Sequence, residues 1–179
     1  MKTDNMSPSP CEKRRQYVFV LCPPHNGSTI IVNLLSSSKN TTTFCKVVDK
    51  GESQWLYQKH GAKDYLQNRW DPNYKLDMNV VKETFDTYLN NEKTIFVEKS
   101  PPTICRAKEF EEYFSKFGDV YFIISIRSPY SCDNLPKDWI QYATYQQNNI
   151  KSLKNTIVTS YEELCLNLDK VIANIIDKL

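Results

Sequence analysis

Glycine is scarce, with only four residues in 179, at positions 27, 51, 61 and 118. The phosphate-cradling pattern GxxxxGK[ST] is absent, and the one turn that resembles it contains no lysine. Net charge is only +2, without the basic excess of a dedicated nucleic-acid binder. Two histidines, and six cysteines with no CxxC pair, do not compose a zinc site, so no metal is expected. Nor do the cysteines read as a disulfide framework, because the chain is long enough to build a hydrophobic core without one. Cys22, Cys105 and Cys165 sit among apolar neighbours and read as small buried hydrophobes. No apolar run approaches the length needed to span a bilayer, and the first fifteen residues hold no signal-peptide core. We therefore expect a soluble, cytoplasmic protein with neither a nucleic-acid nor a membrane partner.

What is present is an alternation of short apolar runs with amphipathic stretches. Residues 1–15 are polar and read as a flexible leader, leaving 16–179 as a single α/β domain. YVFVLC (17–22), FCKVV (44–48), TIFVE (94–98), VYFIISI (120–126) and TIVTS (156–160) read as strands. Helices are expected from Thr29 to Ser37, Val80 to Leu89, Thr103 to Phe117 with Gly118 as its C′ residue, 137–153, and Tyr161 to Leu179. This order predicts a three-layer fold like that of the P-loop nucleoside triphosphatases, with a mostly parallel central sheet of about four to five strands and helices on both faces. In such sheets ligands bind beyond the carboxyl ends of the strands.

Three loops at that edge carry suggestive chemistry. In LCPPHNGSTIIVNLL a buried strand runs through Pro24, His25, Asn26 and Gly27 into a helix opened by Ser28 and Thr29. Gly27 permits close backbone approach, and the free amides of a helix start favour an anion. An ordinary capped turn is the alternative. In FVEKSPP, Glu98 and Lys99 reach the same edge together, either as a charged pair serving a site or as a surface ion pair. In FIISIRSPYS, Arg127 follows a rigid strand, suited to bidentate phosphate binding or to a structural carboxylate.

Together these segments resemble the sulfotransferases that use 3′-phosphoadenosine 5′-phosphosulfate (PAPS). PPHNGST is similar to the family's strand-P-[KR]-S-G-[ST]-[ST]-helix opening, and Glu98-Lys99-Ser100-Pro101 to its EK[ST]P-like segment. Arg127-Ser128-Pro129 matches its R-x-P motif, and Val158 to Leu164 its late V-x-YEDL-like segment. The resemblance implies that Pro24 to Thr29 bind the phosphosulfate end and Arg127 the 3′-phosphate, with 3′-phosphoadenosine 5′-phosphate (PAP) as product. Lys99 would contact the bridging oxygen, and Glu52 would serve as the base toward a hydroxyl or amine of a small-molecule, carbohydrate or protein acceptor. Glu52 as a solvated loop residue is the competing reading. His25 stands where the family has a basic residue and Asn26 where it has serine; the serine expected after the arginine falls on Leu135, with Ser128 or Ser131 as candidate substitutes. Trp55, Tyr57, Tyr65, Trp70 and Tyr74 form either an acceptor wall or core. A degraded, non-catalytic binding module and a P-loop small-molecule kinase are the alternatives.

Overall fold

The computed structural model describes residues 14–131 and 138–179. In chain order the elements are β1 (Gln16–Leu21), α1 (Ser28–Ser36), β2 (Thr41–Thr43), α2 (Tyr65–Asn68), α3 (Met78–Tyr88), β3 (Ile95–Glu98), α4 (Ala107–Phe114), β4 (Asp119–Ile126), α5 (Trp139–Ser152), β5 (Thr156–Ser160), α6 (Tyr161–Leu166) and α7 (Leu168–Ile176). The five strands form one sheet in the order β2-β3-β1-β4-β5, and every pairing is parallel. Helices cover both faces, so the fold is α/β as the alternation predicted.

β1 is central because both of its faces are buried. Tyr17, Phe19 and Leu21 point into an aromatic core shared with Phe85, Phe110, Phe114 and Phe122, beneath α3, α4 and α5. Val18 and Val20 point into a smaller aliphatic core with Ile31, Val32, Leu164 and Val171, beneath α1, α6 and α7. On the aromatic side, Tyr17 and Phe114 lie 4.8 Å apart and Phe19 and Phe110 meet edge-on at 5.1 Å. Removing one such ring is expected to cost about 3–5 kcal/mol. The sheet is therefore a rigid platform, and its carboxyl edge inherits that rigidity.

Several boundaries differ from the sequence reading. FCKVV is not a strand: the edge strand is the preceding TTT. The Thr43 side chain accepts the Cys45 N–H and turns the chain into a 3₁₀ turn, which drops Phe44 onto Phe85 at 5.2 Å. Residues 44–60 then run as a succession of short 3₁₀ turns. The helix expected from Thr103 begins only at Ala107, because Arg106 breaks the spiral with φ −137°. Its buried guanidinium donates to the carbonyls of Arg69, Asp71 and Tyr74. Gly118 does not take the left-handed C′ conformation. It is required instead by close passage, since a Cβ there would lie 2.2 Å from the Arg15 carbonyl oxygen. The closing helix is split at Asn167 into α6 and α7.

Candidate active site at the carboxyl edge of the sheet

The loop between β1 and α1 has an unusual backbone. Both His25 (φ 66°) and Gly27 (φ 83°) are left-handed, one on either side of Asn26. For a residue with a Cβ this conformation costs about 1–2 kcal/mol, so something must hold His25 there. Two side chains at the end of β4 do so. Arg127 Nη1 donates to the His25 carbonyl at 2.9 Å, and the Ser125 hydroxyl donates to the Asn26 carbonyl at 2.9 Å. With those carbonyls tied toward β4, the N–H groups of Asn26, Gly27 and Thr29 donate to no acceptor among the described residues. Left-handed residues alternating with ordinary ones in this way form a concavity of amides suited to an anion. At Gly27 the demand is double, because an added Cβ would also lie 2.7 Å from the Tyr161 ring.

Lys99 enters the same space from β3. It is only 2% exposed, yet its Nζ reaches Thr29 Oγ1 at 3.1 Å and Glu52 Oε1 at 3.4 Å. Glu52 Oε2 accepts from Gln54 Nε2 at 2.5 Å and from the Trp55 indole N–H at 3.2 Å. Glu52 is thus buried and oriented rather than solvated. Glu98 and Lys99 do not form the pair that their adjacency suggested. Successive residues at a strand end face opposite ways. Glu98 turns beneath the loop and accepts from the Ser53 and Ser100 hydroxyls, while Lys99 pairs with Glu52. Burial raises the Glu98 carboxyl above the usual carboxylate range.

These groups face a cleft of about 380 Å³. Pro24, His25, Gly27, Ser28 and Thr29 line it together with Lys99 and Glu52. Trp55, Trp70 and Tyr142 supply aromatic surface, and Lys50 and Arg69 add two cations. Arg69 lies over the Trp55 ring at 5.2 Å, and Trp70 packs on Tyr142 at 4.7 Å. Of the expected aromatic wall, Trp55 and Trp70 are in the cleft. Tyr57 and Tyr65 are core residues, and Tyr74 packs against Tyr65.

Two of the expected loop and phosphate residues do not line this cleft. Asn26 is buried under the turn, and Arg127 sits behind it with its guanidinium 4.3 Å above the Tyr161 ring. Leu135 and the side chain of Ser131 lie outside the described residues. Sequence reasoning missed Lys50, Arg69 and Tyr142, which belong to no motif and are brought to the cleft by the tertiary fold. It also missed Ser125, whose hydroxyl is hidden inside an apolar strand. Cys22, at the base of the turn, is fully buried, and burial raises its thiol to about 11, with the neighbouring Ser28 hydroxyl acting in the opposite sense.

No family model and no curated protein matches the chain. Solved structures do. The sulfotransferase domain from the curacin biosynthetic pathway superposes with a TM-score of 0.58 at 14% identity, covering 93% of this chain and 74% of that one. The sulfotransferase domain from the Synechococcus PCC 7002 olefin synthase gives a TM-score of 0.54 at 16% identity, covering 94% and 74%. The chain has the sulfotransferase fold. At such identities the likeness concerns the fold, so the chemistry has to be argued from this chain's own side chains. In the sulfotransferase fold seen here, the β1–α1 turn, Lys99 and Glu52 converge from three separate segments on one cleft.

Proposed function

We propose that the protein transfers a sulfuryl group from PAPS to a hydroxyl or amine acceptor. The observation that carries this reading is the contact set around Lys99: one buried ammonium between a loop hydroxyl, Thr29, and an oriented carboxylate, Glu52. The donor supplies a sulfuryl group attached through oxygen to a phosphate leaving group. The residues present suit it. The unengaged amides of Asn26, Gly27 and Thr29 would hold the phosphosulfate oxygens, and Arg127 the 3′-phosphate.

Lys99 then balances the charge that develops on the leaving oxygen, relinquishing part of its hold on Glu52. Glu52 is fixed through Oε2 by Gln54 and Trp55, so Oε1 is the atom left to take the acceptor's proton as the new bond to sulfur forms. Trp55, Trp70 and Tyr142 form the surface against which a small-molecule, carbohydrate or protein acceptor would lie. All of these roles belong to residues of this chain, and none calls for a metal ion.

A second reading, a binding module that keeps the nucleotide but not the chemistry, is favoured by one observation. His25, rather than a lysine or an arginine, occupies the exposed crest of the loop. Calorimetric titration with PAP, ATP and AMP in EDTA tests the proposal. Selective binding of PAP, followed by turnover with an acceptor panel, supports sulfuryl transfer. PAP binding without turnover supports the module, and no preference for PAP refutes both.

A further inference from the structure

Glu98 is a buried ionisable group that takes no part in the proposed transfer. It is 1% exposed, at the end of β3, facing away from the cleft. We propose that Glu98 is a positioning residue that locks the segment bearing Glu52 onto the segment bearing Lys99. A single oxygen, Oε1, accepts from two hydroxyls, those of Ser53 at 2.7 Å and of Ser100. Each hydroxyl is in turn engaged. Ser100 Oγ accepts the Gln54 N–H at 3.1 Å, and Ser53 Oγ meets the Tyr57 hydroxyl at 2.7 Å.

The connectivity explains the effect. Ser53 directly follows Glu52, and Ser100 directly follows Lys99. Gln54, whose backbone is pinned by Ser100, uses its side chain to hold Glu52 Oε2. Glu98 therefore reaches both members of the pair through one neighbour each, although Ser53 and Glu98 lie 45 residues apart in the chain. The 52–57 segment is built of 3₁₀ turns, whose few backbone bonds would not by themselves fix a carboxylate. A buried network of this kind specifies geometry only while every donor has its acceptor.

Two alternatives for Glu98 are separable from this one. Its charge could act on Lys99 directly, or it could serve stability alone. Three variants distinguish them. E98Q keeps an oxygen that accepts both hydroxyls but has no charge. E98D keeps the charge but draws it back by one methylene. S100A leaves Glu98 in place and removes the link to Gln54.

The kinetic arm rests on the sulfuryl-transfer reading; the spectroscopic arm does not. In protein carrying isotope-labelled lysine, the Lys99 ammonium, held between Thr29 and Glu52, is expected to give a slowly exchanging NMR signal, assigned by its loss in K99R. E98Q should retain that signal, while E98D and S100A lose it. A signal absent from the wild type, or retained in both E98D and S100A, overturns the proposal. So does retention in E98D with loss in E98Q, because charge rather than geometry would then be holding Lys99.

In turnover, E98D and S100A should lose on the order of tenfold to 100-fold in kcat, with PAP affinity held and E98Q restoring most of the loss. Equal losses of kcat and PAP affinity would mean a merely structural residue and overturn the proposal. The expected NMR pattern in a protein that turns over no acceptor leaves the positioning role standing and removes the sulfuryl-transfer reading instead.

Discussion

Replacing Arg127 by alanine removes at least two supports from the loop between β1 and α1. The first is the bond from Nη1 to the His25 carbonyl at 2.9 Å, a hydrogen bond from a charged donor worth about 1.5–3 kcal/mol. The second is the guanidinium lying 4.3 Å above Tyr161, worth about 0.5–1 kcal/mol at a partly exposed site. His25 sits in a left-handed conformation that costs about 1–2 kcal/mol, so without the clip the loop is free to relax away from its binding shape. Any nucleotide that places a phosphate on the loop should then bind roughly tenfold more weakly, for about 1.4 kcal/mol of lost preorganisation. A 3′-phosphate held by Arg127 would lose a further charge-assisted contact of about 1.5–3 kcal/mol, or another factor of roughly 10 to 100. The assay is calorimetric titration of wild type, R127A and R127K with AMP and with PAP. We expect R127A to weaken AMP about tenfold and PAP about 100- to 1000-fold, with R127K between, since lysine keeps the charge but not the fork. Equal losses for the two nucleotides would refute a role in 3′-phosphate recognition and leave Arg127 as a loop clip.

Gly27→Ala combines a left-handed φ of 83° with a Cβ placed 2.7 Å from the Tyr161 ring. A loss of about 2–5 kcal/mol and a fall in Tm of roughly 5–15 °C are expected by thermal denaturation; an unchanged Tm would show that the loop has another shape. Glu52→Gln should lower kcat by about 10²- to 10⁴-fold while leaving PAP affinity intact, and a variant that turns over normally removes Glu52 as the base. Lys99→Met should destabilise the fold by about 3–5 kcal/mol, because Glu52 is left without its cation; urea unfolding should show part of that loss recovered in the K99M/E52Q double variant. For Cys22 the thiol is raised from 9.0 to about 11, so the neutral form is favoured in the native state. Its contribution, at most about 3 kcal/mol, is full below pH 9 and lost as the pH rises through 11. C22A should flatten the decline of the urea midpoint across that window, and an unaltered slope would contradict the burial argument.

The strands that run through the centre of the sheet were legible because they are buried on both faces. YVFVLC is a continuous apolar run and VYFIISI is apolar but for Ser125, and their observed bounds, Gln16–Leu21 and Asp119–Ile126, differ from the reading only at their ends. The edge strand β2 was misplaced because Thr41–Thr43 has no core to face on one side, while the apolar residues after it plug the core from a turn. The helix over 103–117 was read as too long because its spacing cannot reveal that Arg106 is needed elsewhere, across three carbonyls from residues 69–74.

The same division holds for the site. A turn with Gly27, a lysine after β3 and an arginine after β4 are local patterns, so the sequence alone pointed to Lys99, Arg127 and the 24–29 loop. Partners were not local. Glu98 and Lys99 are neighbours in the chain but face opposite sides, whereas Lys99 and Glu52 are 47 residues apart and meet at 3.4 Å. Glu52 was named without any sign that it would be buried and held by Gln54 and Trp55. Nothing in the order of residues announced that Arg127 would clip the His25 carbonyl, or that Lys50, Arg69 and Tyr142 would share the cleft. Hydrophobic period and turn chemistry act over a few residues, and they determined the elements and the edge at which a ligand would bind. Which charges meet there, and which are hidden, depends on how the 44–60 turns pack over the sheet, and only the tertiary structure decided that.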